Sequence, residues 1–78
     1  MKTTKYFEAT RSRLDRVQIK DEWIFRAVEH PEHEHVQDDG RVRRWARIPE
    51  AGDRYLRVVL LPDRETVHKA FFDRGFKP

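Results

Sequence analysis

The chain has no cysteine, three glycines, four prolines and a single serine in 78 residues. Without cysteine there is no disulfide framework, no thiol nucleophile and no thiolate zinc site. The one serine, Ser12, sits among arginines and offers no setting for acyl transfer. Three scattered glycines make no Gly-rich phosphate loop. No apolar run approaches the roughly 18 residues that a membrane span needs. Met1-Lys2-Thr3-Thr4 leads into charged residues, unlike the apolar stretch of a secretory signal, so a cytoplasmic protein is expected. No internal repeat divides the sequence, and residues 1–78 are expected to form one small domain. A domain of this size buries a thin core, so a partner or a second copy would add stability, and a homodimer stays open.

Charge is plentiful. The 17 basic and 14 acidic residues leave a net charge of +3. Residues 1–39 hold seven basic and nine acidic side chains, whereas residues 40–78 hold ten and five. Twelve of the 17 basic residues are arginine, whose planar fork suits phosphate and carboxylate. This asymmetry fits either an anionic partner or a surface rich in ion pairs.

The hydrophobic pattern predicts α+β architecture. Thr3 or Thr4 caps a first helix carrying Tyr6, Phe7, Thr10, Leu14 and Val17, with a strand over 5–9 as the competing reading. Asp21–Glu29 reads as a second helix with acids in its first turn and an apolar face of Trp23, Ile24, Ala27 and Val28; Pro31 stops it. Strands follow at 33–37, 41–48, 54–61 and 65–72. Asp38-Asp39-Gly40 predicts a type I′ hairpin turn, and Pro62-Asp63-Arg64 a second turn. The sum is two N-terminal helices packed on one face of an antiparallel meander of three or four strands.

The unusual segment is Gly40-Arg41-Val42-Arg43-Arg44-Trp45-Ala46-Arg47-Ile48. Alternation in a strand sets Arg41, Arg43, Trp45 and Arg47 on one face. Guanidiniums beside an indole make a poor core, but they suit phosphates and stacked bases. In the third strand Leu56, Val58 and Leu60 look like core, which turns Tyr55 and Arg57 outward. In the last strand alternation groups His68 with Thr66, Ala70 and Phe72, and Lys69 with Val67 and Phe71; it leaves open which set faces the helices. If His68 turns the same way as Arg57 and Trp45, the face becomes a phosphate cradle with a proton-transfer group. The competing reading is an ordinary solvated face.

Three further features stand out. His30, His33 and His35 fall within six residues and could ligate zinc or nickel, with no obvious fourth ligand beyond Glu32 or Glu34; an exposed helix-to-strand connection explains them as well. The region 21–39, with seven acids and one arginine, reads as a solvated face. Phe71-Phe72-Asp73-Arg74-Gly75-Phe76-Lys77-Pro78 sets Phe76 as a core plug or an exposed ring, with Arg74 and Lys77 available to phosphate.

The order of these parts resembles a family of small bacterial and phage proteins classed as a domain of unknown function. The likeness rests on an arginine-bearing first helix, Ile19 before a second helix closing at Pro31, then Val36-Gln37-Asp38-Asp39-Gly40-Arg41-Val42-Arg43, Tyr55-Leu56-Arg57-Val58-Val59, Glu65-Thr66-Val67-His68 and Phe71-Phe72-Asp73-Arg74. That family is similar in layout to BrnT toxins and, more distantly, to RelE/ParE toxins of toxin–antitoxin systems. The resemblance implies a RelE/BrnT-like fold, a small antitoxin as partner, and metal-independent RNA cleavage in which the 2′-hydroxyl attacks its own phosphodiester. It implies no cofactor. Carried onto this sequence, it makes His68, Arg57 and Arg74 the expected catalytic set. Arg41, Arg43, Trp45 and Lys77 are the expected RNA-binding residues. Arg64 stands where the family pattern leads one to expect glycine. The alternatives are a non-catalytic module binding nucleic acid or a protein partner, and a structural or regulatory protein with a histidine metal site.

Overall fold

The computed structural model describes residues 1–11 and 18–78. Ser12, Leu14 and Val17 lie outside the described residues. Two helices, α1 (Lys5–Arg11) and α2 (Asp21–Glu29), precede four strands, β1 (His33–Val36), β2 (Val42–Ile48), β3 (Arg54–Leu60) and β4 (Val67–Phe72). The strands form one antiparallel sheet in the order β1-β2-β3-β4. The α+β expectation, with helices on one face of a meander, is met.

Helix α1 begins as a cap predicts. Thr4 Oγ1 accepts from the Phe7 amide at 3.0 Å, satisfying one of the free N–H groups of the first turn. Thr3 instead forms a bridge with Val67, which lays the segment before α1 along β4. The strand reading for 5–9 is therefore not realised. Helix α2 ends at Glu29, just before Pro31, and buries Trp23, Ile24 and Ala27 while Phe25 points outward at 47% exposure.

The core lies between the helices and one face of the sheet. Phe7, Ile19, Trp23, Ile24 and Ala27 pack on Val42, Ala46, Ile48, Leu56, Val58, Leu60, Val67 and Ala70. Trp23 meets Phe72 edge-on at 6.1 Å. Arg44 shares this face at the margin of the core: it donates to the Val28 carbonyl at 2.8 Å and to Glu34 at 2.7 Å. It thereby caps the carboxyl end of α2, where a cation is favoured.

Three local details differ from the sequence reading. The β1–β2 turn is not type I′. Asp38 and Asp39 keep negative φ, Gly40 alone takes φ 90°, and its amide bonds to the Gln37 carbonyl at 2.9 Å. That is a type I turn followed by a glycine, a three-residue hairpin loop. A Cβ on Gly40 would also come within 3.3 Å of Pro62. Strand β4 begins at Val67 and not at residue 65, because Asp63 accepts from the amides of Glu65 and Thr66, both at 2.9 Å, and holds those residues in a turn. Within β4 the register slips: Val59 faces Lys69 whereas Leu60 faces Val67. His68 is the extra residue of a bulge. Strict alternation therefore fails in β4, and Val67, Ala70 and Phe72 all join the core side.

Candidate nucleic-acid interface

The pairing register decides what the open face of the sheet carries. Trp45 sits opposite His33 on one side and Arg57 on the other, Arg43 opposite His35 and Val59, and Arg47 opposite Tyr55. Arg57 sits opposite Phe71, and Val59 opposite Lys69. Directly opposed residues share a face. The open face thus presents Arg43, Arg47, Arg57 and Lys69 with His33, His35, Trp45, Tyr55 and Phe71. None of these strand positions is a carboxylate. Glu34 belongs to the other face, where it pairs with Arg44.

The centre of the face is a small polar and aromatic cluster. Asp73, just after β4, donates its amide to the Tyr55 carbonyl at 2.9 Å. Its Oδ2 accepts from Trp45 Nε1 at 3.0 Å and from Arg57 Nη1 at 3.3 Å. Its Oδ1 accepts from the Gly75 amide at 3.1 Å, an Asx turn that folds the chain back over the sheet. That turn brings Phe76 onto Trp45, with ring centroids 4.6 Å apart and planes at 16°. Tyr55 and His33 flank Phe76, each at 5.1 Å. The Arg57 guanidinium lies 4.8 Å from the centre of Phe71, and its Nε is buried with no hydrogen-bond partner among the described residues. Burial pushes the Asp73 carboxyl up, but hydrogen bonds from Trp45, Arg57 and Gly75, with the Arg57 charge, outweigh it and hold the group below its ordinary value of 3.8.

His68 occupies one edge of the sheet. Its Nδ1 lies 3.0 Å from Thr4 Oγ1, the hydroxyl that caps α1, and its ring stacks on Tyr6 at 4.8 Å. Lys69 stands 5.7 Å over the same tyrosine ring. Burial, then the charges of Arg41 and Lys69, hold the His68 imidazole below its ordinary 6.5.

The expected site residues therefore fall into separate groups. Trp45 and Arg57 meet through Asp73. His68 makes its hydrogen bond and ring contact elsewhere, with Thr4 and Tyr6 among the described residues. Trp45 is only 7% exposed, so its ring is not free to stack on a base while Phe76 covers it. Arg43 donates to Gln37 at 3.1 Å, and Arg41 lies 3.7 Å from Asp39. Arg74 and Lys77 are exposed and have no ion-pair partner among the described residues. Arg74 borders a cleft of about 280 Å³ shared with Arg54, Tyr55, Phe72, Asp73 and Phe76. A larger cleft of about 430 Å³, bordered by Phe25, Val28, Arg44 and Arg64, contains none of these residues.

His33 and His35 both face the open side of β1, while His30 caps α2. Among the described residues no three side chains of the ligand types come together to hold a metal ion. Also among them, no helix is long and apolar enough to cross a membrane. Sequence reasoning gave no role to Asp73, which organises the centre of the face. The signal was present in Asp73-Arg74-Gly75, an Asp-x-Gly after a strand, which favours an Asx turn. No family model matches the chain, and no curated protein or solved structure does either.

Proposed function

We propose that the protein binds single-stranded RNA across the open face of its sheet. The observation that supports this is the register itself. It sets Arg43, Arg47, Arg57 and Lys69 among Trp45, Tyr55 and Phe71, with no acid at a strand position of that face. Unstacked bases bind to aromatic rings on a four-stranded sheet, while arginine and lysine hold the phosphates. The resemblance to a family similar in layout to RNA-cleaving BrnT and RelE toxins favours RNA over DNA as the strand of choice. The test is anisotropy of a fluorescein-labelled single-stranded RNA decamer at several salt concentrations. The expected result is affinity that falls steeply with salt. Arg43→Ala and Lys69→Ala should each lower the salt slope by about one. Binding that ignores salt, or that survives both substitutions unchanged, removes the proposal.

A second reading adds cleavage, as in a ribonuclease toxin held by a small antitoxin. The feature favouring it is His68, whose imidazole is held below its ordinary 6.5 by burial and then by Arg41 and Lys69, with Nε2 lacking a hydrogen-bond partner among the described residues. Neutral imidazole can take the 2′-hydroxyl proton. The 2′-oxygen then bonds to phosphorus, the bond to the 5′-oxygen breaks, and Lys69 protonates that oxygen. A 2′,3′-cyclic phosphate product that disappears in His68→Ala supports this reading. RNA bound but left intact by the wild-type protein leaves a binding module.

A further inference from the structure

We propose that Asp73 and Phe76 occupy, within the chain, a subsite for one nucleotide: a phosphate on Arg57 and a base on Trp45. The idea rests on the RNA-binding reading above and gives that surface a defined pocket and an internal competitor for it.

The chemistry of the occupied site is that of a nucleotide. Asp73 carries an anion to a point where two donors of the sheet converge, the guanidinium of Arg57 and the indole N–H of Trp45; its other oxygen accepts from the Gly75 amide of its own turn. Charge-assisted donors of this kind accept phosphate as readily as carboxylate. Phe76 lies almost parallel on Trp45, the offset geometry a stacked base adopts, and Tyr55 and His33 close the sides with two further rings.

Asp73 is also an incomplete ligand. It engages Arg57 through Nη1 alone, at 3.3 Å, and leaves Nε buried without a partner. A buried donor without an acceptor is costly, and guanidinium prefers a two-pronged contact. A phosphate brings more oxygens to the same fork and can satisfy Nε once the carboxylate moves away.

The covering segment is lightly held. Beyond β4 the bond from the Asp73 amide to the Tyr55 carbonyl is its one backbone bond to the sheet among the described residues. The Gly75 amide to Asp73 Oδ1 at 3.1 Å and a long 3.4 Å contact from the Phe76 amide to the Asp73 carbonyl lie within the segment itself. Arg74, Gly75, Lys77 and Pro78 are exposed. Displacing the segment costs the stack of Phe76 on Trp45 with its flanking contacts to Tyr55 and His33, the partly buried Arg57–Asp73 pair and the Trp45–Asp73 hydrogen bond. RNA replaces the stack and the anion with contacts of the same kind. Part of the binding free energy is spent on that opening, so the apparent affinity of the wild-type protein is reduced by the fraction of molecules that are covered.

The test compares the wild-type protein with Phe76→Ala, Phe76→Leu and Asp73→Asn, using the labelled RNA decamer at low salt. Phe76→Ala and Asp73→Asn should bind about three- to tenfold more tightly. Phe76→Leu keeps apolar cover but loses the flat ring and should fall between. In the wild-type protein the indole N–H resonance of Trp45, recognised by nuclear Overhauser contacts from its ring to Phe76, should shift on RNA addition as the bond to Asp73 breaks. That readout decides the matter even where a variant fails to fold. If the wild-type protein binds RNA, its Trp45 resonance stays fixed and no folded variant gains affinity, the segment is simply cover and the subsite is wrong, while RNA binding stands. If neither the wild-type protein nor any variant binds RNA, both proposals fall together.

Discussion

Among the described residues Arg57 and Asp73 form the one ion pair that links the open face of the sheet to the segment beyond it, with Nη1 3.3 Å from Oδ2 and side chains only 23% and 15% exposed. Most other pairs are peripheral: Lys2 with Glu65 and Arg47 with Asp53 stand largely in solvent. Such exposed pairs contribute little to stability. Arg57–Asp73 is different because Asp73 also satisfies the Trp45 indole. Removing the carboxylate leaves three donors unmatched at once: Arg57 Nη1, Trp45 Nε1 and the Gly75 amide.

An acid-stability prediction follows from that carboxylate. Asp73 titrates below its ordinary 3.8 in the folded protein. The unfolded chain therefore binds the proton first. The stabilisation is complete above about pH 5 and is lost as the pH falls through the lower folded value. Asp63 and Glu50, each lowered to about 2 by hydrogen bonds from Thr66 and Arg26 respectively, act in the same window. Urea midpoints measured from pH 6 to pH 2 should drop most steeply below pH 4. Asp73→Asn should flatten part of that drop; an unchanged slope would show that Asp73 is not held by its three donors. At neutral pH, Asp73→Ala should cost about 1–3 kcal/mol in urea unfolding.

Arg43 and Arg44 are neighbours in sequence with opposite tasks. Arg43 lies on the open face, opposite His35 and Val59. Arg44 lies on the helix face, 15% exposed, bonded to Glu34 and to the end of α2. Arg44→Met should therefore cost about 1–3 kcal/mol of stability with RNA affinity unchanged. Arg43→Ala should leave the urea midpoint within about 0.5 kcal/mol of wild type and weaken binding severalfold. Equal losses of affinity from the two substitutions would mean that binding follows total charge and not this face.

The same pair of arginines shows how much was legible in the sequence. Alternation placed Arg41, Arg43, Trp45 and Arg47 on one side and the aliphatic set of β3 on the other. The register keeps Arg43, Trp45, Arg47 and the aliphatic set where they were expected, whereas Arg41 lies ahead of β2 and outside the ladder. The helices were readable because Thr4 and Pro31 mark boundaries by local chemistry. Three things were hidden. The bulge at His68 depends on how β4 meets β3, which no single-strand periodicity encodes. The pairing of Arg57 with Asp73 joins residues 16 apart, and an arginine cannot reveal its carboxylate from sequence. Trp45 read as an exposed platform because nothing in its own strand announces that Phe76 returns to cover it.

Arg64 tests a turn. It takes φ 62°, a left-handed conformation that costs an ordinary residue about 1–2 kcal/mol. The backbone thus adopts a conformation that glycine reaches without steric cost, while the side chain is arginine. Its bond to Glu34 at 3.4 Å is exposed and offsets little of the strain. Arg64→Gly relieves the strain but gives the unfolded chain more freedom, so the net gain should be a few tenths to about 1 kcal/mol. Equilibrium urea unfolding measures this. A loss of stability would mean that the ion pair with Glu34 outweighs the backbone term.

His68 makes stability depend on pH nearer neutrality. Its imidazole is held below 6.5 first by burial and then by Arg41 and Lys69, while Thr4 and Tyr6 fix its ring. The groups facing it therefore disfavour the charged form. The unfolded chain takes up the proton at a higher pH than the folded one, so stability rises with pH through this window. The stabilisation is complete above the unfolded value near 6.5 and disappears as the pH falls through the folded value. Melting temperatures should decline between pH 7.5 and pH 5, before the carboxylates titrate. His68→Gln removes the titrating group and should flatten that decline. Thr4→Val, which removes only the hydroxyl beside Nδ1, should lower the melting temperature at every pH through loss of the α1 cap, about 0.5–2 kcal/mol, and leave the slope in place. If His68→Gln keeps the wild-type slope, the transition belongs to other histidines and the neutral imidazole required for RNA cleavage loses its support.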